Sequence, residues 1–271
     1  MRVAIIGMGA IGHVLKRALE GRCELLEVDR TRSPLRGDEA PVEAAVIATK
    51  TFGTAWAAEQ AAALLPDGGV ALTLQNGLGN DESLAKRLGA GRLAVGVIYV
   101  GAHLRPDGTL FATGPGRVEL GRDRRLDRLA EALREGGMTV TRVDDPRRSV
   151  WGKLVANAAM NATTALFGLT NGELLSHSAG RPLADGIARE VARVATAEGV
   201  PIDEAEAVRA WRAVAATLGA NRSSMLQDVE AGRATEVDAI NGAVARAGER
   251  NRIDAPLNRA LALLVEAIAP A

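Results

Sequence analysis

A helical stretch in the second half of the chain, Trp151 to Leu169, carries one lysine and two asparagines at spacings of four residues. At 3.6 residues per turn, Lys153, Asn157 and Asn161 fall on one face of a helix. The chain has 4 lysines against 29 arginines, and burial lowers the pKa of an amine more readily than that of a guanidinium. One interpretation is a proton-donating lysine with two hydrogen-bonding amides on the same face. The alternative is a partly exposed lysine lying along an apolar face, and these residues alone do not separate the two.

A second candidate site lies near the start of the chain, where an apolar run from Arg2 to Ile6 leads into a GxGxxG motif. Glycines between a strand and a helix allow a tight turn, a close approach of a pyrophosphate, and close packing of the two elements. A glycine turn without a ligand is the alternative. The predicted cofactor-binding turn comprises Gly7, Met8, Gly9, Ala10, Ile11 and Gly12.

The residues after the second predicted strand bear on the type of dinucleotide. Asp29 lies about 20 residues beyond the glycines, where an acid accepts the ribose 2′-hydroxyl of NAD, whereas Arg30 and Arg32 favour the 2′-phosphate of NADP. Lys50, after the third predicted strand, adds a cation at the same edge of the sheet. We therefore expect NADPH/NADP+, with NAD left open by Asp29.

The elements that must position these residues change in character along the chain. In the first half, short β-branched runs alternate with alanine-rich runs, which predicts a largely parallel sheet with helices on both faces. The later strands, near the turns at Pro106–Gly108 and Gly114–Gly116, predict an antiparallel hairpin at one edge. The predicted strands are Arg2 to Ile6, Glu24 to Val28, Ala44 to Ala48, Val70 to Leu74, Ala94 to Val97, Thr109 to Ala112 and Val118 to Leu120. Helices are expected to open at Gly9, Gly53, Asp81 and Asp123.

Beyond Asp144 only helical patterns remain, separated by glycine and proline breakers. We expect an α/β Rossmann-type doubly wound sheet in residues 1–145, followed by an all-α C-terminal domain in residues 146–271. The first would bind NADP and the second would hold the substrate and the catalytic lysine.

A further polar pattern runs from Asn221 to Asn241. Ser224, Asp228, Gly232 and Glu236 follow one another at steps of four, which predicts one side of a long helix with a glycine where a ligand or backbone approaches. For Asp228 alone, we favour a solvated helix face over a functional role.

Composition and charge narrow the class of protein. Basic and acidic residues balance at 33 each, which argues against nucleic-acid binding, and no apolar run reaches the length of a membrane span. One cysteine and three scattered histidines predict neither a disulfide nor a metal site. We expect a cytoplasmic protein with a small-molecule substrate, and the pattern leaves a homodimer open.

Together the motifs resemble the ketopantoate reductase family (2-dehydropantoate 2-reductases), in which a Rossmann domain precedes a helical domain. The segment between the second and third strands, Asp29 to Pro41, is shorter than the family usually has. The motifs in the family's order are GxGxxG at Gly7, Thr49-Lys50, QNG at Gln75 to Gly77, WxKLxxNxxxN at Trp151 to Asn161, NGEL at Asn171 to Leu174, and SSMLQD with TEVDAING at Ser223 to Gly242.

The resemblance implies NADPH-dependent reduction of 2-dehydropantoate (ketopantoate) to (R)-pantoate, a step in pantothenate and coenzyme A biosynthesis, with Lys153 as proton donor. The implied substrate-binding residues are Asn76, Asn157, Asn161, Asn171, Asn221 and Ser224. The implied cofactor contacts are the turn from Gly7 to Gly12 together with Arg30, Lys50, Asn76, Ala102 and Glu236. Two other interpretations stay open: a reductase of the same fold for another 2-oxo acid or small carbonyl compound, and a non-catalytic NADP(H) redox sensor.

Overall fold

A computed structural model describes residues 1–30, 40–105 and 107–270. Arg32, one of the two arginines expected to favour the 2′-phosphate, lies outside the described residues. So do most of the shortened segment after the second strand and Pro106 of one predicted turn.

The chain divides into two compact units. The first contains Met1–Gln75 and Gly79–Ser149, and the second contains Asn76–Leu78 and the chain from Val150 onward. The boundary therefore falls within the first turn of a helix that begins at Pro146. The sequence pattern assigned Asn76 to the first domain, whereas its contacts group it with the second unit.

The described residues of the first unit contain nine strands, seven of which form one sheet in the order β2-β1-β3-β4-β5-β8-β9. Strands β1 to β5 are parallel, β8 runs antiparallel to β5, and β9 runs parallel to β8. The strands are β1 (Arg2–Ile6), β2 (Glu24–Val28), β3 (Ala44–Ile47), β4 (Val70–Thr73), β5 (Leu93–Tyr99), β6 (Ala102–Leu104), β7 (Leu110–Ala112), β8 (Arg117–Gly121) and β9 (Thr139–Val143). The chain leaves β1 for one neighbour, β2, and later returns to the other, β3, so the carboxyl ends of β1 and β3 flank a crevice of the kind that binds dinucleotides.

An antiparallel hairpin is present, as expected, but it does not form an edge of the main sheet. Strand β7 pairs with β6 in a separate two-stranded ribbon, and β8 pairs with β5 and β9. The turn that closes the ribbon has the Gly108 N–H donating to the carbonyl of Arg105 at 2.9 Å. Strand β8 lies inside the sheet with a partner on each side, and its Val118 and Leu120 are fully buried. The outer partner is β9, which the sequence pattern missed.

Four helices cover the two faces of the sheet, and β1 shows why both faces are apolar. Its side chains alternate between two clusters: Val3 and Ile5 pack on one face, Ala4 and Ile6 on the other. Helices α1 and α4 contribute to the first cluster and α2 and α3 to the second. Their bounds are α1 (Ala10–Leu19), α2 (Thr54–Leu64), α3 (Asn80–Leu88) and α4 (Asp127–Glu135).

The second unit is helical, and among the described residues no strand follows β9. Its helices are α5 (Pro146–Phe167), α6 (Asn171–Ser176), α7 (Gly180–Ala197), α8 (Glu204–Thr217), α9 (Ser224–Glu230), α10 (Ala243–Asn251) and α11 (Pro256–Ile268), with a π-helical turn at Asp238–Gly242 before α10. Alanines let α5 pack at close range, since Ala158, Ala159 and Ala162 have no exposed surface. A helix buried on most sides needs a reason for each polar residue that it carries.

The long helix expected between Asn221 and Asn241 is interrupted. Helix α9 ends at Glu230, and Gly232 adopts a φ of +60°. The Gly232 N–H donates to Val229 O at 3.0 Å and the Arg233 N–H to Asp228 O at 2.8 Å, the bond pair of a glycine-terminated helix end. Glu236 therefore does not share a face of α9 with Ser224.

The predicted solvated face at Asp228 is also wrong. The residue is 4% exposed, and its carboxylate accepts a hydrogen bond from Arg233 Nε at 3.1 Å. Because Arg233 lies just past the glycine, this ion pair holds the end of α9 in place. Asp228 has a structural role here.

Candidate active site

The glycine turn after β1 has the close contacts that its motif predicts. Gly7 has a φ of +105°, and a Cβ there would lie 2.6 Å from the backbone nitrogen of Thr49 at the end of β3. A Cβ on Gly12 would lie 2.1 Å from the carbonyl oxygen of Gly7. These two glycines let the turn pack against β3 and against the first turn of α1. Met8 and Ile11 are partly buried against the core beside them.

Gly9 differs from the other two glycines. It precedes α1 as its N-cap, with no side-chain cap, and a Cβ there would meet no atom of the protein within 4 Å. Its backbone angles, φ −79° and ψ −164°, suit any residue, so neither packing nor strain in the protein requires a glycine. A group that approaches the helix N-terminus from outside would explain it, and N–H groups of a first helical turn favour a phosphate. The residues present therefore fit a dinucleotide.

Cations lie after β2 and β3 at the same edge of the sheet. The Arg30 guanidinium lies 5.8 Å from the centre of the Trp56 ring on α2, in the range of a cation–π contact. Lys50 is half-buried and begins a short 3₁₀ turn at Thr51–Gly53. Asp29, the competing acidic signal, is also half-buried. Ala102 lies on β6 of the separate ribbon, partly buried against the core.

A hydrogen-bond network centred on Gln75 braces the ends of β3 and β4. Its Nε2 donates to Thr49 O and Thr49 Oγ1 at 3.1 Å each and to Thr54 Oγ1 at 2.8 Å. Thr54 in turn contacts buried Asn80 Oδ1 at 2.9 Å. The QNG motif predicted a role for Asn76 but not for Gln75, because the partners of Gln75 lie 21 and 26 residues away.

The next residues of the same motif belong to the second unit. The Leu78 N–H donates to Ala239 O at 2.9 Å, and Gly77 has a φ of +82°, where a Cβ would lie 2.3 Å from that same oxygen. Glycine is therefore required by the contact with the π-helical turn. Asn76, the predicted substrate and cofactor ligand, is half-buried in this segment.

The polar stripe on α5 is placed as the spacing predicts. Lys153 and Asn157 are half-buried, and Asn161 is 6% exposed. Burial lowers the pKa of the Lys153 ammonium to about 8, and the negative charge of Glu236 opposes that fall. An amine with this pKa exists in both protonation states near neutral pH, as a general acid requires. Glu236 itself is half-buried in the segment before the π-helical turn.

The structure also brings Asn171 and Asn221 together. The Asn171 N–H donates to Asn221 O at 3.0 Å, beside a bond from the Gly172 N–H to Gly219 O at 2.9 Å. Thr170 and Glu173 form a capping box that starts α6 at Asn171. Within the described part of the chain, the buried Oδ1 of Asn171 has no hydrogen-bond partner, so this amide can accept from a ligand.

Of the two serines at the start of α9, the predicted Ser224 is exposed and the neighbouring Ser223 is buried. Ser223 Oγ accepts from the Leu226 N–H at 3.1 Å as the N-cap, and it lies 2.7 Å from Thr164 Oγ1 on α5. Ser223 therefore joins the start of α9 to α5, a role that sequence reasoning missed although a serine before a helical run is a capping signal.

The sequence matches models of a known protein family and individual relatives. The family model described as "Ketopantoate reductase PanE/ApbA" matches residues 29–125, and "Ketopantoate reductase PanE/ApbA C terminal" matches residues 145–269. A 2-dehydropantoate 2-reductase of Archaeoglobus fulgidus is 33% identical, over 98% of this chain and 97% of the relative. One from Halobacterium salinarum is 38% identical over 83% of this chain and 76% of its own length. The chain belongs to the ketopantoate reductase family. It is therefore an oxidoreductase, and ketopantoate reductases use a nicotinamide cofactor.

Solved structures agree with a ketopantoate reductase fold. The 2-dehydropantoate 2-reductase of Geobacter metallireducens is 29% identical with a TM-score of 0.88, covering 98% of this chain and 99% of that one. A complex of D-mandelate dehydrogenase with NADH is 25% identical with a TM-score of 0.89, covering 98% of both chains. The Rossmann-type sheet followed by helices is thus confirmed.

Across residues 1–30, 40–105 and 107–270, no helix is both long and apolar enough to cross a membrane. In the same ranges, no three side chains of His, Cys, Asp or Glu are grouped as a metal site would need.

Proposed function

We propose that this ketopantoate reductase reduces 2-dehydropantoate to (R)-pantoate with NADPH, and that Lys153 donates the proton. One observation supports this most strongly. Lys153 is half-buried on a helix that also presents two asparagines, and burial lowers its pKa to about 8 while Glu236 opposes the fall. The names of the relatives, 2-dehydropantoate 2-reductase, supply the substrate.

Lys153 acts on the ketone oxygen in this proposal. Bound NADPH would supply the hydride that becomes the hydrogen on C2 of pantoate. As negative charge develops on the ketone oxygen, the Lys153 ammonium donates a hydrogen bond to it and then transfers one proton, which leaves a neutral amine and a hydroxyl group. Proton transfer by a positioned side chain typically accelerates a reaction by about 10²-fold to 10⁴-fold. The ammonium also stabilises the oxyanion electrostatically.

The amides would hold the rest of the substrate. A 2-oxo acid with a hydroxyl group presents both acceptors and a donor, and an amide can serve both. Asn171 has a buried Oδ1 to offer, and Asn157 lies one turn of α5 from Lys153. The proposed substrate-binding residues are Asn76, Asn157, Asn161, Asn171, Asn221 and Ser224.

For the cofactor, we assign the first unit, in keeping with a dinucleotide domain over residues 1–145 and a helical substrate domain over residues 146–271. Gly7 to Gly12 would bind the pyrophosphate, because Gly9 leaves its backbone open to an approaching group. Arg30 supports NADPH over NADH, since Trp56 holds its guanidinium at the end of β2. Lys50, Asn76, Ala102 and Glu236 are the further cofactor contacts of the proposal.

A second candidate function has one observation in its favour. The likeness to D-mandelate dehydrogenase, at a TM-score of 0.89, is as close as that to the ketopantoate reductase structures, so a different 2-oxo acid is an alternative substrate. Pocket shape separates such substrates by small energies, about 1 to 3 kcal/mol per methylene.

A panel of 2-oxo acids tests the proposal. We would measure kcat/KM with NADPH and with NADH for 2-dehydropantoate, 2-oxoisovalerate, pyruvate and phenylglyoxylate. The proposal expects 2-dehydropantoate with NADPH to be preferred by at least about tenfold, because only this substrate pairs the amides with a hydroxyl. A preference for phenylglyoxylate supports the second candidate. Tight NADPH binding with no turnover on any of the four would instead support a redox sensor.

A further inference from the structure

Four polar groups with almost no exposed surface form a chain of hydrogen bonds through the second unit. Glu190 on α7 is 3% exposed, and Asn258 on α11 and Asn241 in the π-helical turn are both 0% exposed. This series of hydrogen bonds ends at the backbone carbonyl of Ala158 on α5, between Asn157 and Asn161. The proposed mechanism gives none of these groups a role, although Asn241 lies within the TEVDAING motif.

Glu190 lies at the other end of this series of hydrogen bonds. Its carboxylate accepts from the N–H groups of Leu257 and Asn258, at 3.0 Å each, and from Asn258 Nδ2 at 2.8 Å. The two N–H groups belong to the first turn of α11, where they have no partner within the helix. A carboxylate can only accept hydrogen bonds. Glu190 therefore forces the Nδ2 of Asn258 toward itself and the Oδ1 of Asn258 away.

The orientation passes from Asn258 to Asn241. Asn258 Oδ1 accepts from Asn241 Nδ2 at 3.0 Å, and the same Nδ2 donates to Ala158 O at 3.1 Å. Reversing the Asn241 amide would place its oxygen against two other oxygens. Asn241 Oδ1 is buried and, within the described residues, accepts no hydrogen bond. An unsatisfied buried oxygen costs about 1 to 3 kcal/mol, so the arrangement is imposed by Glu190 at a cost in stability.

The π-helical turn fixed in this way also carries the backbone of Glu236. The carbonyl of Glu236 accepts from the N–H groups of Ala239 and Ile240, at 3.1 Å each. Asn241 follows directly and is bonded to α5, the helix of Lys153. The position of Glu236 relative to Lys153 is therefore set by the same turn that Asn241 ties to Ala158.

We propose that Glu190, Asn258 and Asn241 are positioning residues that hold the segment of Glu236 in register with α5 and its Lys153. The proposal deepens the proposed function and rests on it for its catalytic consequence. The negative charge of Glu236 raises the pKa of Lys153. Loosening the turn therefore weakens an interaction that favours the protonated Lys153 ammonium.

The pKa of Lys153 gives a readout that a merely structural role would not change. The chain has only four lysines, Lys16, Lys50, Lys86 and Lys153, so reductive ¹³C-methylation, which keeps the charge, gives few NMR resonances, and a Lys153→Met sample assigns the one of interest. We would titrate that resonance in the full-length protein and in the variants Asn241→Ala and Glu190→Gln. Asp185→Asn is the matched control, because Asp185 is also a buried carboxylate on α7 but binds Trp211 and Arg212.

The expected result is a lower Lys153 pKa in Asn241→Ala and Glu190→Gln and an unchanged one in Asp185→Asn. With 2-dehydropantoate, kcat should fall about tenfold in the first two, with KM changed less than about threefold, because misplacement of a positioned group acts mainly on the chemical step. If Asn241→Ala does not fold, Glu190→Gln decides, since it preserves side-chain volume. An unchanged Lys153 pKa in Glu190→Gln, with only a lower melting temperature, overturns the proposal. Because the titration needs neither substrate nor cofactor, it stands even if the proposed reaction is wrong.

Discussion

Lys153 and Glu236 are coupled through their charges: burial lowers the pKa of the Lys153 ammonium to about 8, and the negative charge of Glu236 limits that fall. The two residues lie on different elements, α5 and the segment before the π-helical turn. This pair gives a lysine that can release its proton near neutral pH and yet remains mostly protonated there.

The first prediction concerns the pH dependence of reduction. The proton donor must be protonated, so kcat for reduction should be constant at neutral pH and fall as pH rises through about 8. Glu236→Gln removes the charge that raises the Lys153 pKa, so kcat of this variant should begin to fall at a lower pH than kcat of the parent enzyme. Steady-state rates between pH 6 and 10 with saturating substrates check this, with Glu249→Gln as a control on an exposed carboxylate. A profile that does not move in Glu236→Gln would count against the coupling.

The second prediction concerns stability, and its sign follows from the same pKa. Below pH 8 the lysine is protonated in both the folded and the unfolded protein, so burial of the charge opposes folding in full; the penalty disappears as pH rises from about 8 toward 10.5. Lys153→Met should therefore raise the free energy of unfolding at pH 7 by about 1 to 3 kcal/mol, allowing for partial exposure of the side chain.

Urea unfolding at pH 7 and pH 10 measures this gain, which should shrink at the higher pH. Lys86→Met serves as the control, because Lys86 is exposed on α3, and its stability should change by less than about 0.5 kcal/mol. Equal gains at both pH values would show that desolvation of the charge is not the cause.

The third prediction separates the roles of two glycines. Gly12→Ala should destabilise the protein by more than about 1 kcal/mol, because the new Cβ would lie 2.1 Å from Gly7 O. Gly9→Ala should unfold like the parent, since no protein atom lies within 4 Å of its Cβ, but it should bind NADPH at least about tenfold more weakly, the loss expected when one phosphate contact is blocked. Calorimetric titration and thermal unfolding of both variants test this. Normal NADPH affinity in Gly9→Ala would contradict the assignment of the pyrophosphate to this turn.

The fourth prediction concerns the choice of cofactor. Arg30→Ala should lower the ratio of kcat/KM for NADPH to that for NADH by at least about tenfold, since a charge-assisted hydrogen bond contributes about 1.5 to 3 kcal/mol. Trp56→Leu, which removes the ring beneath the guanidinium, should lower the ratio by a smaller factor. Arg22→Ala is the control on an exposed arginine of the same unit. A parent enzyme that prefers NADH would make Asp29 the ribose ligand instead.

Features that depend on local sequence were predictable. The glycine turn follows a buried strand directly, and the α5 stripe is set by helical spacing alone, so Gly7, Gly12, Lys153, Asn157 and Asn161 fall as expected. The prediction that Ser224 and Glu236 share one helix was wrong, because the helix ends at Gly232. A glycine that ends a helix cannot be distinguished by sequence from a glycine that allows a ligand to approach.

Features that depend on distant partners were not predictable. Glu190 and Asn258 are 68 residues apart, and nothing near either residue indicates the other. The burial of Asp228 and the place of β8 inside the sheet likewise follow from tertiary packing. The N-cap role of Ser223 could have been predicted, because a serine before a helical run is a local signal. It was missed because the neighbouring Ser224 was assigned to the substrate.

The central claim is that Lys153 donates the proton, and one comparison tests it most directly: single-turnover reduction of 2-dehydropantoate by NADPH in the parent enzyme and in Lys153→Met, with the NADPH dissociation constant measured for both. The account predicts a rate at least about 10²-fold lower in Lys153→Met, with NADPH affinity nearly unchanged and no loss of folded protein. A rate in Lys153→Met within a few-fold of the parent would contradict it.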